Sequence, residues 1–380
     1  MKEPIIYLDN NATTRLDKRV LEIMLPYFTE NYANATSNHL FGLSVGETVD
    51  FAREQVADLI GAKPKEIIFT SGATEAINLA IKGLIHHKKK HIITAVTEHK
   101  AVLYTCNYME LYGFDVTYLP VNKDGFINLE ELEAAIRPET LLVCIMLANN
   151  ETGVLQPIKE ISNLAHAKGA LFMTDATQAI GKIPINVSEL GIDLMPLSAH
   201  KFYGPKGIGA LYVSAAAKIS LNVQMHGGGH ERKIRSGTHN APGIVGLGKA
   251  CEIAMAEMEF DTARIMVLRN KLENGLLKIE NAYINGNTED RLYTTTNICF
   301  PGANSEKLIL GLQNIAVSSG SACSSVTTEP SYVLKELGLS DADALSSIRF
   351  SLGKFTSNEE INIAIKKVTG LVAALRQNNH

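Results

Sequence analysis

Ser198, His200 and Lys201 occur together in DLMPLSAHKFYGPKGIG, directly after one apolar run and before a glycine-rich turn. A lysine in such a place is ordinarily a surface residue. Where several polar groups converge on it, its amine becomes a candidate for a Schiff base with an aldehyde. Asp175 closes the run LFMTD, and Gln178 follows three residues later. A carboxylate there costs free energy unless something compensates it. A protonated ring nitrogen would serve, and so would a helix to cap. His99 follows AVTE, and Asn149-Asn150 follow LLVCIMLA. The run EIIFT gives way to SGATEA, small residues that open a helix. Free backbone N–H groups at a helix start, with the Thr74 hydroxyl beside them, suit a phosphate; the same residues also make a plain turn and N-cap. Lastly, VSSGSACSSVTTEP (317–330) sets Cys323 among serines, glycine and threonines. Thiols are usually among the most buried side chains. This one is either an incidental loop residue or a thiolate nucleophile.

These residues share an address at the ends of short apolar runs. The runs at 66–70, 91–96, 115–121, 141–148, 170–175, 193–199 and 208–213 read as strands. TEAINLAIKGLI, TEHKAVLYTCNYMELYG, NLEELEAAI and IKEISNLAHAKG between them carry apolar residues three and four apart, the amphipathic-helix pattern. Alternating strands and helices predict an α/β fold with a mostly parallel sheet covered on both faces. Ligands bind such a sheet at the carboxyl ends of its strands. Pro196 counts against a ladder in the sixth run, because proline cannot donate. After about residue 255 the rhythm changes to a long helical stretch and shorter mixed elements. A large domain over 12–255 is therefore expected, with a smaller one formed by 1–11 plus 256–380 that carries the Cys323 segment (about 317–329).

The chain has 380 residues, 46% hydrophobic and 20% charged, with a net charge of −4. That balance suits a globular protein with a sizeable core and offers no electrostatic footprint for nucleic acid or anionic lipid. The basic run His86–His91 is too short to alter this and reads as a solvated loop. No apolar run approaches a membrane span, and MKEPIIYLDN lacks a signal-type apolar segment. No membrane partner and a cytoplasmic location are expected. The five cysteines (Cys106, Cys144, Cys251, Cys299 and Cys323) contain no CxxC pair and are odd in number, so neither a disulfide framework nor a metal site is expected.

A helix start for phosphate, a carboxylate, a lysine and an imidazole at adjacent strand ends are the parts that pyridoxal phosphate requires. The motifs LDNNATT, FTSGATE, TEHKAV, NNETG, DATQAIGK, SAHKFYGPKGIGALYV, MHGGGHERKIRSGT, SSGSAC and SSIRFSLGKFT, spread from about residue 7 to 365, make the resemblance specific. The chain resembles cysteine desulfurases of the NifS/IscS type, within the class-V aminotransferases. The resemblance implies the fold type I architecture of pyridoxal phosphate enzymes, a large mainly parallel seven-stranded sheet domain with a smaller α+β domain, and a homodimer. It implies removal of sulfur from L-cysteine, leaving L-alanine and a persulfide that passes to an iron–sulfur scaffold or another acceptor protein.

By the same resemblance, Lys201 would hold the cofactor and shuttle protons. Asp175 would keep the ring nitrogen protonated, Gln178 would bond the ring hydroxyl, and His99 would stack on the ring as acid or base. Ala73, Thr74, Ser198 and His200 would hold the phosphate, with Thr238 contributed by the other subunit. Arg349 would grip the substrate carboxylate as a bidentate fork, near Asn150. Cys323 would attack the substrate sulfur, the glycine- and serine-rich segment letting it travel. SAHK stands where many relatives have SGHK, which is expected to place the Ala199 methyl beside the phosphate. The ending LRQNNH lacks the longer tail of some relatives and leaves the acceptor open. A selenocysteine lyase or another pyridoxal phosphate enzyme shares most of these parts. A non-catalytic thiol-displaying partner would need neither Lys201 nor Asp175.

Overall fold

The computed structural model describes residues 4–319 and 329–377. The chain enters through a short strand, β1 (Ile6–Tyr7), and then builds β2 (Ile67–Thr70), β3 (His91–Ala95), β4 (Asp115–Leu119), β5 (Thr140–Cys144), β6 (Leu171–Met173), β7 (Leu194–Ser198) and β8 (Gly209–Val213). The last seven form one sheet in the order β2-β8-β7-β6-β5-β3-β4. β8 is antiparallel to both its neighbours, and the remaining pairs are parallel. It follows that the carboxyl ends of the other six strands, and the start of β8, share one edge.

Alternate residues of each strand feed different cores. On β5 and its continuation, Val143 and Ile145 pack with the helices Leu40–Ile60, Ile158–Ala167 and Ala241–Leu276. Leu142 and Cys144 pack with the helices Ala73–Lys82 and Lys100–Glu110. Both faces are thus covered, as the uninterrupted apolar runs require. The regular part of β5 is shorter than the run 141–148 suggests. Its hydrogen bonding to the neighbouring chain nonetheless continues, with Ile145 N–H donating to Met173 and Leu147 N–H to Asp175. Pro196 is part of β7 after all. It stands opposite Leu211 of β8 and beyond Met173↔Leu194, the one registered pair with β6, so no such ladder partner is deprived of a donor there.

The C-terminal third adds β9 (Tyr283–Ile284), β10 (Thr295–Cys299), β11 (Ile315–Ala316) and β12 (Ser347–Ser351). β12, β10 and β9 form an antiparallel sheet, and β1 pairs in parallel with β11. A separate core gathers Ile6 and Leu8 with Leu272, Ile298, Phe350 and Val368. The 36-residue helix Ala241–Leu276 supplies its first half to the core beneath the large sheet and its second half to this one. Asn10 and Asn11 bond to Ser351, which ties the segment after β1 to β12.

Candidate active site

A cavity of about 500 Å³ opens at the carboxyl edge of the large sheet. Ala73, Thr74, Ser198 and His200 line one part of it; His99, Asn150, Asp175, Gln178 and Lys201 line the rest. Nine of the residues singled out in the sequence therefore meet around one space.

The first part is built on the start of helix Ala73–Lys82. Its N-cap is Gly72, at φ 153° and ψ 179°, and no side chain caps the first turn. The backbone N–H groups there are left to whatever occupies the cavity. Only glycine holds this φ without strain, and a Cβ on Gly72 would stand 3.5 Å from Ser198 Oγ, inside the cradle. Gly209 of β8 lets this turn approach: a Cβ there would come within 2.7 Å of Gly72 Cα. The His200 ring meets Thr13 Oγ1 at 3.1 Å through Nδ1. Burial, with the charges of Lys201 and Lys206 added, pulls His200 down to about 4, so it is neutral near pH 7. An anion meeting uncapped N–H groups, a hydroxyl and a neutral imidazole suits a phosphate ester.

Lys201 ends the single turn Ala199–Lys201 that follows β7. Its amine donates to the main-chain carbonyls of Asn11 at 2.6 Å and Ala12 at 2.9 Å. Burial and then the charge of Arg349 lower it to about 8, against the opposing pull of Asp175 and Asp9. Asp175, buried after β6, accepts from the Thr177 N–H at 2.9 Å and from the Thr177 hydroxyl. His99 caps helix Lys100–Glu110, its Nδ1 accepting from Ala101 N–H at 3.1 Å. Burial holds His99 below its usual pKa; Asp175 opposes the shift, and Lys201 and Lys100 add to it. A neutral ring with Nδ1 accepting carries its proton on Nε2. Gln178 donates through Nε2 to the Asn11 carbonyl at 2.9 Å and accepts from Lys182 at 3.2 Å.

Arg349 lies in β12 and is nearly buried, not on the surface. It reaches the cavity through its neighbour: Nη1 donates to the Asn150 carbonyl at 2.9 Å, while Nη2 donates to Asp9 at 2.7 Å. Both outer arms of the expected fork are thus engaged, and Nε is buried without a partner among the described residues. Asn150 Oδ1 is likewise buried and unpartnered. Thr238 is exposed and lies outside the cavity lining. Its neighbour Arg235 pairs with Glu75 in the first turn of helix Ala73–Lys82. Cys323 lies outside the described residues. The Ala199 methyl does not face the cavity: it is fully buried in the main core, and a Cβ on Gly204 would approach it to 2.7 Å.

Sequence reasoning gave no roles to the residues that support this set. The segment Asp9–Thr14 touches half of the set, through Asp9 on Arg349, the carbonyls of Asn11 and Ala12 on Lys201, Asn11 on Gln178 and Asn150, and Thr13 on His200. Glu98, next to His99, is fully buried, and burial, with the charge of Asp175 added, raises its pKa well above the ordinary value. Glu151, beside Asn150, is pushed up to about 7 by burial and accepts from Ser331. The parts fit pyridoxal phosphate: an uncapped helix start for the ester, a buried acceptor in Asp175, and a lysine amine of lowered basicity.

Residues 6–363 match the model of the family described as aminotransferase class-V. A cysteine desulfurase IscS of Salmonella schwarzengrund is 53% identical over 382 residues, 99% of this chain and 94% of the relative. One of Pasteurella multocida is 53% identical over 383 residues, covering 99% and 95%. Among solved structures, a NifS-like protein superposes with a TM-score of 0.91 at 40% identity, covering 97% of this chain and all of the other. The protein SspA in complex with cysteine gives 0.82 at 40% identity, covering 93% and 100%.

Proposed function

The chain belongs to the aminotransferase class-V family, and we propose that its cavity carries out cysteine desulfuration with Cys323 as the sulfur acceptor. The protein is a pyridoxal phosphate-dependent cysteine desulfurase, which removes sulfur from L-cysteine and leaves L-alanine. The observation that carries the residue assignment is the convergence of Lys201, Asp175 and His99 with an uncapped helix start on one cavity.

When bound, the cofactor supplies an electron sink for charge developing at the substrate Cα. The first-turn N–H groups of Ala73 and Thr74, with Ser198 and His200, would hold its phosphate. Asp175 would accept from its ring nitrogen, and Gln178 would donate to its ring oxygen. Lys201 Nζ would anchor the cofactor and afterwards move the proton at the substrate Cα. His99, carrying its proton on Nε2, would serve as a donor. Arg349 and Asn150 orient the substrate carboxylate. The thiolate of Cys323 then forms a bond to the substrate sulfur as the Cβ–S bond breaks. The electron pair left on Cβ takes up one proton and the proton removed at Cα is returned, which completes alanine, so the thiol and cysteine are converted to a persulfide and alanine without an outside oxidant.

The same reading takes the persulfide on to an acceptor protein, an iron–sulfur scaffold being the first expectation, and the working form to be a homodimer. Phe28, Tyr32, Phe41 and Phe51 are exposed near the chain start, with Leu40 at 86% exposure. An apolar group of that size supports cover by a second copy, and Thr238 stands outside its own cavity, free to serve another. We also read 12–255 and 1–11 plus 256–380 as the two domains, and the cytoplasm as the location. No helix among the described residues is long and apolar enough to cross a membrane. The test is alanine release from L-cysteine by the yellow holoenzyme. It is expected in the wild type and absent in Lys201→Ala; release by that variant at the wild-type rate would refute the assignment.

A further inference from the structure

Lys182 is a lysine that the reaction does not obviously use. It lies four residues after Gln178 in DATQAIGK and is almost wholly buried. Lysine is rarely buried unless paired with an opposite charge. Here the charges acting on it are those of Lys201 and Arg349, both like its own; burial first and those cations second lower it to about 7. Filling the space alone would be served by methionine or leucine, without the cost of burying an amine beside two cations.

Its contact suggests what it does. Lys182 Nζ stands 3.2 Å from Gln178 Oε1, its one hydrogen-bond partner among the described residues. At the other end of the same amide, Gln178 Nε2 donates to the Asn11 carbonyl at 2.9 Å. The two ends of a glutamine amide have nearly the same shape, so only the partners decide which way it faces. An amine keeps N–H donors in either protonation state, and a main-chain carbonyl only accepts, so one orientation of the amide alone satisfies both. Lys182 therefore claims the amide oxygen and Asn11 claims one N–H, which leaves the second N–H uncommitted. Gln178 lines the cavity.

We infer that Lys182 is a positioning residue: it fixes the Gln178 amide so that an N–H, and not the carbonyl, is presented to the ring oxygen of pyridoxal phosphate. The inference rests on the reading of Gln178 as the partner of that oxygen. Were the amide reversed, its carbonyl would oppose the oxygen and disfavour the anionic form.

The experiment is a pH titration of the visible absorption of the holoenzyme in wild type, Gln178→Ala, Lys182→Met and the double variant. An N–H donor to the ring oxygen lowers the apparent pKa of the bound chromophore, so losing it raises that value. Gln178→Ala is expected to raise it by about half a pH unit or more, the differential that one hydrogen bond to a charged group carries. Lys182→Met is expected to raise it alone and to add nothing in the Gln178→Ala background. A Lys182→Met shift that persists unchanged in that background would mean a direct charge effect and overturn the inference. So would a wild-type titration in Lys182→Met when Gln178→Ala has moved. If Gln178→Ala itself does not move, the assignment of Gln178 fails, and this inference with it.

Discussion

Asp9 and Arg349, 340 residues apart, meet at 2.7 Å beside the cavity, with the second arm of the guanidinium on the Asn150 carbonyl. The arginine that would receive the substrate carboxylate is therefore already held by a carboxylate of its own chain. An incoming carboxylate must share the guanidinium with Asp9 or displace it, and only a planar group with several donors can hold all three partners. Arg349→Lys is expected to raise KM for L-cysteine by about tenfold or more, roughly 1.4 kcal/mol, with cofactor absorbance unchanged. Steady-state kinetics with an absorption spectrum check it; an unchanged KM would remove Arg349 from substrate binding.

Lys201 gives a pH dependence with a definite sign. Only the unprotonated amine attacks an aldehyde. With the amine lowered to about 8 by burial and Arg349, about a tenth is free at pH 7, against fewer than about one in a thousand for an ordinary lysine. Cofactor uptake by the apoenzyme should therefore accelerate with pH and level off above about 8. Stopped-flow absorbance follows it, and a rate still climbing in proportion to hydroxide at pH 10 would contradict the lowered value. In stability the sign is the same. The folded state binds the Lys201 proton less tightly than the unfolded chain, so this group's penalty is full below about 8 and fades as pH rises toward 10.5.

Gly72 tests the proposed phosphate cradle. Its φ of 153° strains any residue with a Cβ, and that atom would enter the space next to Ser198 Oγ. Gly72→Ala is expected to cost about 1–3 kcal/mol of stability and to weaken pyridoxal phosphate binding at least tenfold. Thermal unfolding of the apoenzyme and equilibrium dialysis of the cofactor measure the two effects separately. Destabilisation with unaltered affinity would leave the turn structural only.

The strand ends were legible because buried parallel strands leave continuous apolar runs, and polar residues at their carboxyl ends stand out against them. That contrast found Asp175, Lys201, His99 and the start of helix Ala73–Lys82. It could not find Asp9, Asn11 or Thr13, since LDNNATT is polar and aperiodic and its partners are separated from it in sequence by well over a hundred residues. Glu98 and Glu151 were hidden for another reason: each adjoins a selected residue, and an isolated glutamate in a polar stretch reads as surface. The interval of four between Gln178 and Lys182 was present in the sequence. Nothing there said that the lysine was buried. Ala199 went astray because sequence adjacency to the site was taken for orientation toward it, whereas its methyl faces the core.

If sulfur leaves L-cysteine for the thiol of Cys323, alanine formation must depend on that thiol. The measurement is alanine formed from L-cysteine by the wild type and by Cys323→Ser, side by side with a reductant present, both at equal cofactor content. Sustained alanine is expected from the wild type and almost none from the variant. Equal alanine from the two proteins would contradict it and leave Cys323 without a part in the chemistry.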